Sequence, residues 1–438
     1  MREIPALETM EEGASLGENG AGELHLELWY LLTSAAALLL VCFYAVYMSV
    51  HLLALSYAWR WLHSKTAELT QQKLTGVEFA PGVSIIKPII GCDPHLKTNL
   101  ESFFQLKYPK YEILMCVAEM GEVPSLQVVH DLLSQYPHVP VRILQGEASI
   151  GVNPKINNMI AAYRAAQYNL IWISDISILT TPHTLSELVS HISPNHIALV
   201  HQLPFTTGVK SFADCLDKVY FGTQHSRVYL VANVLGQNCA NGMSWLLKRS
   251  CLEEVGGLAA FSEYLAEDFF IGKALWSGGW RFVLSTLPAF QNPSHRSLTS
   301  YQSRIIRSPS LSLSSFIYRI FLWGRLRATM MPWPGLVEPF TECFGLGLLG
   351  ALCLHRLLHI HPLLFLLVHT SVWFTFDLVL LKLIENGPLP QLWQVGVAWC
   401  LRELWTFPLF MGGVWSREIL WKGGRFRLKF GGKAVKLD

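Results

Sequence analysis

The sequence predicts an α/β domain with a mostly parallel sheet, flanked by transmembrane helices toward both ends of the chain. Three observations carry this. Trp29 to Trp59 is a run of 31 residues without Asp, Glu, Lys or Arg, where about 20 apolar residues suffice to cross a ~30 Å hydrocarbon core. Between residues 82 and 285, short apolar runs rich in β-branched and aromatic residues alternate with amphipathic stretches, as strands alternating with helices require. Beyond Pro339 the chain turns apolar again.

Composition agrees. Of 438 residues, 51% are hydrophobic and 15% charged, against roughly 25% charged in an ordinary soluble domain, and mean hydropathy is +0.32. This excludes a disordered chain, and a formal net charge of +2 gives no general reason to bind nucleic acid. The nine cysteines include no Cys-x-x-Cys pair, so neither a disulfide framework nor a structural zinc site is indicated.

In chain order, residues 1–28 hold seven glutamates and read as a solvated acidic tail. Residues 29–59 come next as the first transmembrane helix. A cleaved signal peptide fits less well, because the run is too long and its leading side is acidic. Arg60, His63 and Lys65 border the helix on its far side, which by the positive-inside rule puts the chain from residue 60 onward in the cytosol. Residues 60–335 form the predicted cytosolic α/β domain. Its strands are expected at Val83 to Ile86, Tyr111 to Val117, Val141 to Leu144, Leu170 to Ser174, His196 to Val200 and Trp280 to Leu284. Asn153-Pro154 and Thr181-Pro182 each read as a capping side chain before a first-turn proline. Gly256-Gly257 closes a helix begun near Arg249.

Residues 336–412 hold apolar stretches near 337–354, 357–381 and 392–412, interrupted by His355-Arg356 and Arg402-Glu403. Charges at membrane depth face protein or water, so a re-entrant or interfacial stretch is open. Residues 413–438 read as a basic tail, with Lys422, Arg425, Arg427, Lys429, Lys433 and Lys436.

Ligands of open α/β sheets bind beyond the carboxyl ends of the strands. Asp175 ends such a strand, and a divalent cation bridging two phosphates would suit its carboxylate; the plainer alternative is a turn cap. Glu267-Asp268 opens an apolar helical stretch, either as an N-cap or as a general base near a substrate hydroxyl. Gln302, Arg304 and Arg307, with Lys87 in the first strand, could serve a diphosphate, the arginines through two hydrogen bonds each. Contact with anionic lipid heads competes with that reading.

Lys87-Pro88-x-x-Gly91-x-Asp93-Pro94-x-Leu96, Tyr108-Pro109-Lys110-Tyr111-Glu112, Asn153-Pro154-Lys155-Ile156-Asn157-Asn158, Asp175, Tyr220-Phe221-Gly222-Thr223, Ala266-Glu267-Asp268 and the tail Gly423-Gly424-Arg425-Phe426-Arg427-Leu428 together resemble the ceramide glucosyltransferase family. The resemblance implies a GT-A nucleotide-sugar fold and transfer of glucose from UDP-glucose to ceramide with inversion. It also implies a multi-pass Golgi membrane protein whose active site faces the cytosol. By the same resemblance Asp175 binds the donor diphosphate and a divalent cation (Mg or Mn), Asp268 is the base, and Arg304, Arg307 and Trp323 support the departing UDP. Another membrane glycosyltransferase of this fold, using a polyprenyl phosphate or polysaccharide acceptor, and an inactive homologue are the alternatives. Self-association into a homo-oligomer is left open.

The chain departs from the family pattern twice. Cys116-Val117-Ala118-Glu119-Met120-Gly121-Glu122 has glutamates where the family has aspartates, so Glu122 would hold the nucleotide through a side chain one methylene longer. Residues 308–322 separate Arg304-Ile305-Ile306-Arg307 from Trp323-Gly324-Arg325, splitting a motif that is contiguous in the family. Deleting Ser308 to Leu322 is therefore expected to raise glucosylceramide synthesis in membranes; equal or lower synthesis would show that the fold accommodates the segment.

Overall fold

A computed structural model describes residues 8–62, 80–89, 95–117, 124–146, 149–209, 211–237, 239–292, 325–326, 329–330, 340–415, 418–421 and 424–437. It divides into two compact units, residues 1–49 with 340–373, and residues 50–339 with 374–438.

The larger unit is built on a seven-stranded sheet, β1 (Val83–Ile89), β2 (Tyr111–Val117), β3 (Val141–Gln145), β4 (Leu170–Ser174), β6 (Ile197–His201), β8 (Ser244–Lys248) and β9 (Arg281–Leu284). The strand order is β3-β2-β1-β4-β8-β6-β9. All pairings are parallel except the two made by β8, which runs against both β4 and β6. The other six strands coincide with the expected runs; β8 is the addition, a five-residue segment without a β-branched residue that runs straight into the helix at Arg249. A small second sheet is formed by β5 (Ile178–Leu179), β7 (Pro204–Thr206) and β10 (Ala289–Gln291).

Both faces of the main sheet are covered, and period-2 alternation along the strands sorts side chains between them. Val83, Ile85 and Ile89 of β1 join Phe103 of α2 (Leu96–Phe104), Val129 of α3 (Pro124–Gln135) and Leu188 of α5 (Thr184–Ile192) in one core. Ile86 joins the other, with α4 (Pro154–Ala165), α8 (Arg249–Glu254) and α9 (Glu267–Ser277). Helix α4 starts as expected: the Asn153 side chain accepts from the Lys155 and Ile156 amides, and Pro154 occupies the first turn. Ile156, Met159, Ile160 and Tyr163 then bury one stripe at helical spacing. Thr181-Pro182 does not open its helix directly. Helix α5 begins at Thr184, whose Oγ1 accepts from the Thr181 amide, so the pair builds a turn instead of a cap.

Helix α6 (Phe212–Tyr220) opens on a Ser211–Asp214 capping box. It passes through a π turn, Phe221–His225, into α7 (Ser226–Val234). Gly222 meets Leu381 there so closely that a Cβ would stand 2.3 Å from its Cδ1. Arg227 on α7 and Arg402 both bind Asp377, at 2.9 and 3.0 Å, and the Trp399 indole donates to the same carboxylate at 2.8 Å. Arg402 also reaches Thr223 and Glu403. Arg402 and Glu403, which interrupt the last carboxyl-terminal apolar stretch, are buried and thus face protein.

Helix α1 (Glu8–Trp61) begins well before the apolar run, so residues 8–28, read as a solvated tail, lie in a helix. At its other end, within the larger unit, Asn233 donates to the Tyr57 hydroxyl at 2.6 Å and Trp61 donates to the Leu284 carbonyl at 2.7 Å. Helices α10 (Cys343–Leu358), α11 (Pro362–Glu385) and α12 (Leu392–Trp415) correspond to the three carboxyl-terminal apolar stretches. In the smaller unit the Tyr44 hydroxyl lies 2.9 Å from His369 Nδ1, and Gly347 and Gly350 let α10 approach His369 and Phe365 closely. Among the described residues, two helical stretches are long and apolar enough to cross a membrane, His25–Trp61 and Pro362–Glu385. Residues 418–421 and 424–436, expected as part of a basic tail, hold a three-stranded antiparallel sheet of β11 (Glu418–Trp421), β12 (Gly424–Leu428) and β13 (Ala434–Lys436).

Candidate active site

The chain leaves β1 toward β2 and β3, and β4 returns on the other side of β1, so a topological switch point lies between β1 and β4. Strand β1 outruns its partner there. Its pairing with β4 ends at Ile86, which leaves Lys87 and Pro88 beyond the last β4 register and lets a proline sit in a central strand without breaking a ladder on that side.

Asp175 directly succeeds β4. Its amide donates to the Met243 carbonyl at 2.8 Å, and its Oδ1 lies 3.0 Å from Lys155 Nζ. Lys155 also pairs with Glu267 Oε1 at 3.1 Å and donates to the Gly242 carbonyl at 2.9 Å. Glu267 and Asp268 form the first turn of α9, whose N-cap residue, Ala266, supplies no side-chain cap. Instead, Asn153 donates to Glu267 Oε2 at 2.9 Å and to the Tyr264 carbonyl at 2.7 Å. Asp268 Oδ2 accepts from the Gly242 amide at 2.8 Å, and Oδ1 accepts from the Phe269 amide at the same distance. A Cβ at position 242 would stand 2.8 Å from that of Asp268, so only glycine permits this approach. The loop 241–243 therefore touches both acids, and Lys155 lies within the field of Asp175, Glu267 and Asp268.

Burial governs the electrostatics. It disfavours the Lys155 ammonium, but the carboxylates of Asp175, Glu267 and Asp268 outweigh that and hold it charged. Burial pushes the Asp268 carboxyl up to about 6, with the Glu267 carboxylate adding to the rise and Lys155 opposing it. An acid so tuned is ionised at neutral pH yet more basic than a surface aspartate, which suits proton abstraction.

Two expectations change. Lys87 is not placed to neutralise a diphosphate: it is fully buried over the Phe103 ring, 3.7 Å from its centroid. It donates to the Asp175 carbonyl at 2.8 Å and to Ser174 Oγ at 3.2 Å, and burial lowers it to about 7 although Asp175 opposes the fall. Its work is to fix the backbone at Asp175. Asp268, for its part, satisfies two backbone amides, as an N-terminal acid does, and also stands within the field of Lys155. Glu122, Arg304, Arg307, Trp323 and residues 308–322 lie outside the described residues.

The residue that sequence reasoning did not single out is Lys155. A signal was available, because Lys155 sits just after the first-turn proline of α4, where the helix dipole disfavours a cation. A lysine at that place needs carboxylates nearby.

Among the described residues no group of three or more His, Cys, Asp or Glu side chains could by itself hold a metal ion. One partly exposed carboxylate, Asp175, still fits a hard cation that takes its remaining oxygens from substrate phosphates and water.

Residues 46–434 match glycosyl transferase family 21. Ceramide glucosyltransferase 3 of Caenorhabditis elegans is 37% identical over 388 residues, covering 88% of this chain and 79% of that protein. Ceramide glucosyltransferase 1 of the same organism is 36% identical, covering 89% and 79%. A solved mannosyltransferase from Pyrobaculum calidifontis, in complex with GDP-Man and Mn2+, aligns with 16% identity and a TM-score of 0.42 over 87% of this chain and 97% of that one. The family match spans most of the sequence, from the first apolar helix to the final strand, and the chain belongs to glycosyl transferase family 21.

Proposed function

We propose that this chain transfers glucose from UDP-glucose to the primary hydroxyl of ceramide, with inversion at the anomeric carbon, at the cytosolic face of the Golgi membrane. The observation that carries the reading is that Asp175 and Asp268, 93 positions apart, stand within the field of one buried cation, Lys155, which pairs with Asp175 and with Glu267 beside Asp268. Family membership and the names of the relatives supply the sugar and the acceptor; donor, stereochemistry and location rest on the resemblance of the motifs.

Inversion needs one displacement. As the acceptor oxygen forms its bond to C1 of glucose, the bond from C1 to the UDP oxygen breaks, and the hydroxyl proton passes to Asp268. Glycine at 242 and the amides of Gly242 and Phe269 hold that carboxylate in place, and the two amides temper the rise in basicity that burial gives it. Asp175 would hold a divalent cation, Mg or Mn, together with the donor diphosphate; such an ion neutralises charge developing on the leaving group. Arg304, Arg307 and Trp323 would support the same diphosphate, and Glu122 the nucleotide. Ceramide enters from the bilayer, where its two hydrocarbon chains stay.

The direct test is radiolabelled transfer from UDP-glucose to a short-chain ceramide by the full chain in microsomes, with a polyprenyl phosphate as competing acceptor. Labelled glucosylceramide is the expected product; label on the polyprenyl phosphate alone would replace the acceptor. The base assignment also fixes a pH dependence. Because Asp268 must be ionised to accept the proton, kcat/KM is expected to fall below about pH 6, tenfold per pH unit. A profile flat from pH 7 to 5 would remove Asp268 from the role.

A further inference from the structure

Strand β12 carries Arg425-Phe426-Arg427-Leu428, in which the arginines are exposed and Phe426 and Leu428 are buried. That period-2 pattern is a half-buried strand. What it packs on is the shoulder of the site. Ile419, Phe426, Leu428 and Ala434 form one cluster with Leu265 and Leu326, and Val152, Ala266 and Met330 lie against it. Val152 immediately precedes Asn153, whose side chain binds Glu267, and Leu265 and Ala266 immediately precede Glu267 and Asp268.

Polar contacts run the same way. The Ala434 amide donates to the Glu263 carbonyl at 3.0 Å, and Lys433 pairs with Glu263 at 3.5 Å. Arg325, two positions beyond Trp323 in the chain, donates to the Glu418 carbonyl at 2.5 Å, and the Gly431 amide donates to the Thr329 carbonyl at 3.3 Å. The closest approach is at Gly432, with φ +84°, where a Cβ would stand 2.3 Å from the Phe270 ring. Phe270 lies two positions after Asp268 and stacks on Tyr264 with centroids 3.9 Å apart. Since α9 lacks a side-chain cap, the place of its first turn is set by contacts from outside the helix.

We propose that the carboxyl-terminal sheet is a positioning element for the transfer reaction: Gly432, seated against Phe270, sets where the Asp268 carboxylate stands relative to Lys155. This rests on the reading of Asp268 as the base. Strands β11 to β13 then serve to position the base although they lie past the last membrane-type helix, and the outward Arg425, Arg427 and Lys433 are on the sheet's solvent face.

The test is Gly432→Ala in the full chain, purified in detergent, with activity expressed per folded molecule as judged by size-exclusion chromatography. The added methyl must displace Phe270 and with it the first turn of α9. We expect kcat to fall about 10- to 100-fold, as for a displacement near 1 Å, with KM for UDP-glucose changed less than about threefold. Adding Phe270→Leu, which shortens the ring that is struck, should restore part of kcat. A kcat within twofold of wild type, or a loss of donor affinity equal to the loss of kcat/KM, would overturn the proposal. Should Gly432→Ala fail to fold, Phe270→Leu alone carries the test: it should lower kcat at constant donor KM, and unchanged kcat would overturn the proposal. A wild-type chain that makes no glucosylceramide at all would instead sink the proposed function.

Discussion

Replacing Asp268 by Asn is expected to lower glucosyl transfer to ceramide by roughly 10²- to 10⁴-fold, the usual contribution of a positioned general base, while binding of UDP-glucose persists. Asparagine keeps nearly the same shape and can still accept from the Gly242 amide, so the loop 241–243 stays in place. What disappears is the proton acceptor, together with the acceptor for the Phe269 amide. Stability should therefore decline far less than activity. The folded protein holds the Asp268 carboxyl up at about 6 because burial and the Glu267 carboxylate disfavour its charge, so the group adds stability below the unfolded value of 3.8 and takes it away as pH rises through about 6. At pH 7.5 the ionised side chain opposes folding, and the amide removes that opposition. Thermal unfolding together with donor binding and turnover checks all three statements, and retained turnover would end the assignment. Asp268→Glu keeps the charge but moves it by about one methylene, and a misplacement near 1 Å costs about 100-fold.

The two acids were legible in the sequence for one physical reason. Asp175 ends an otherwise apolar strand and Asp268 opens an apolar helix, and a carboxylate in such company is costly unless a cation, a substrate or an amide partners it. The runs that became β2 and β4 were plain because they are continuous, β-branched and bounded by turn residues. Less was legible where local pattern and tertiary partner are separated. Lys87 lies in β1 and was expected to face a phosphate, yet strand parity puts it on the same face as Val83 and Ile85, against Phe103. The carboxyl-terminal sheet read as a tail because its net composition is basic, although Arg425-Phe426-Arg427-Leu428 already alternates. The convergence on Lys155 needs α4, β4 and α9 in register, which no run of residues within any one of them encodes.

Lys155→Met should be the most damaging single substitution in the described part of the site for stability, since it removes the one cation shared by Asp175 and Glu267 and leaves the Gly242 carbonyl without its donor. Breaking one side of a buried ion pair typically costs about 3–5 kcal/mol, and at about 2–4 °C per kcal/mol for a domain of this size the unfolding temperature should drop by roughly 6–20 °C at neutral pH. The pH dependence fixes the cause. The carboxylates hold Lys155 charged beyond the ordinary lysine range, so its contribution is complete at every pH below that range and does not itself vary between pH 5 and 8. The variant's deficit does vary, because protonating Asp268, held up at about 6, relieves part of the repulsion that the missing ammonium had balanced. The loss should therefore be smaller at pH 5 than at pH 8. Lys155 also opposes the rise at Asp268, so the acid limb of kcat/KM in whatever activity remains should move above pH 6. Lys155→Arg, which keeps the charge but spreads it over a planar fork, should recover stability before it recovers rate. Equal unfolding temperatures for wild type and Lys155→Met, with an unmoved acid limb, would mean that the lysine merely fills space, and that Asp175 and Asp268 are held near each other by the backbone of loop 241–243 alone.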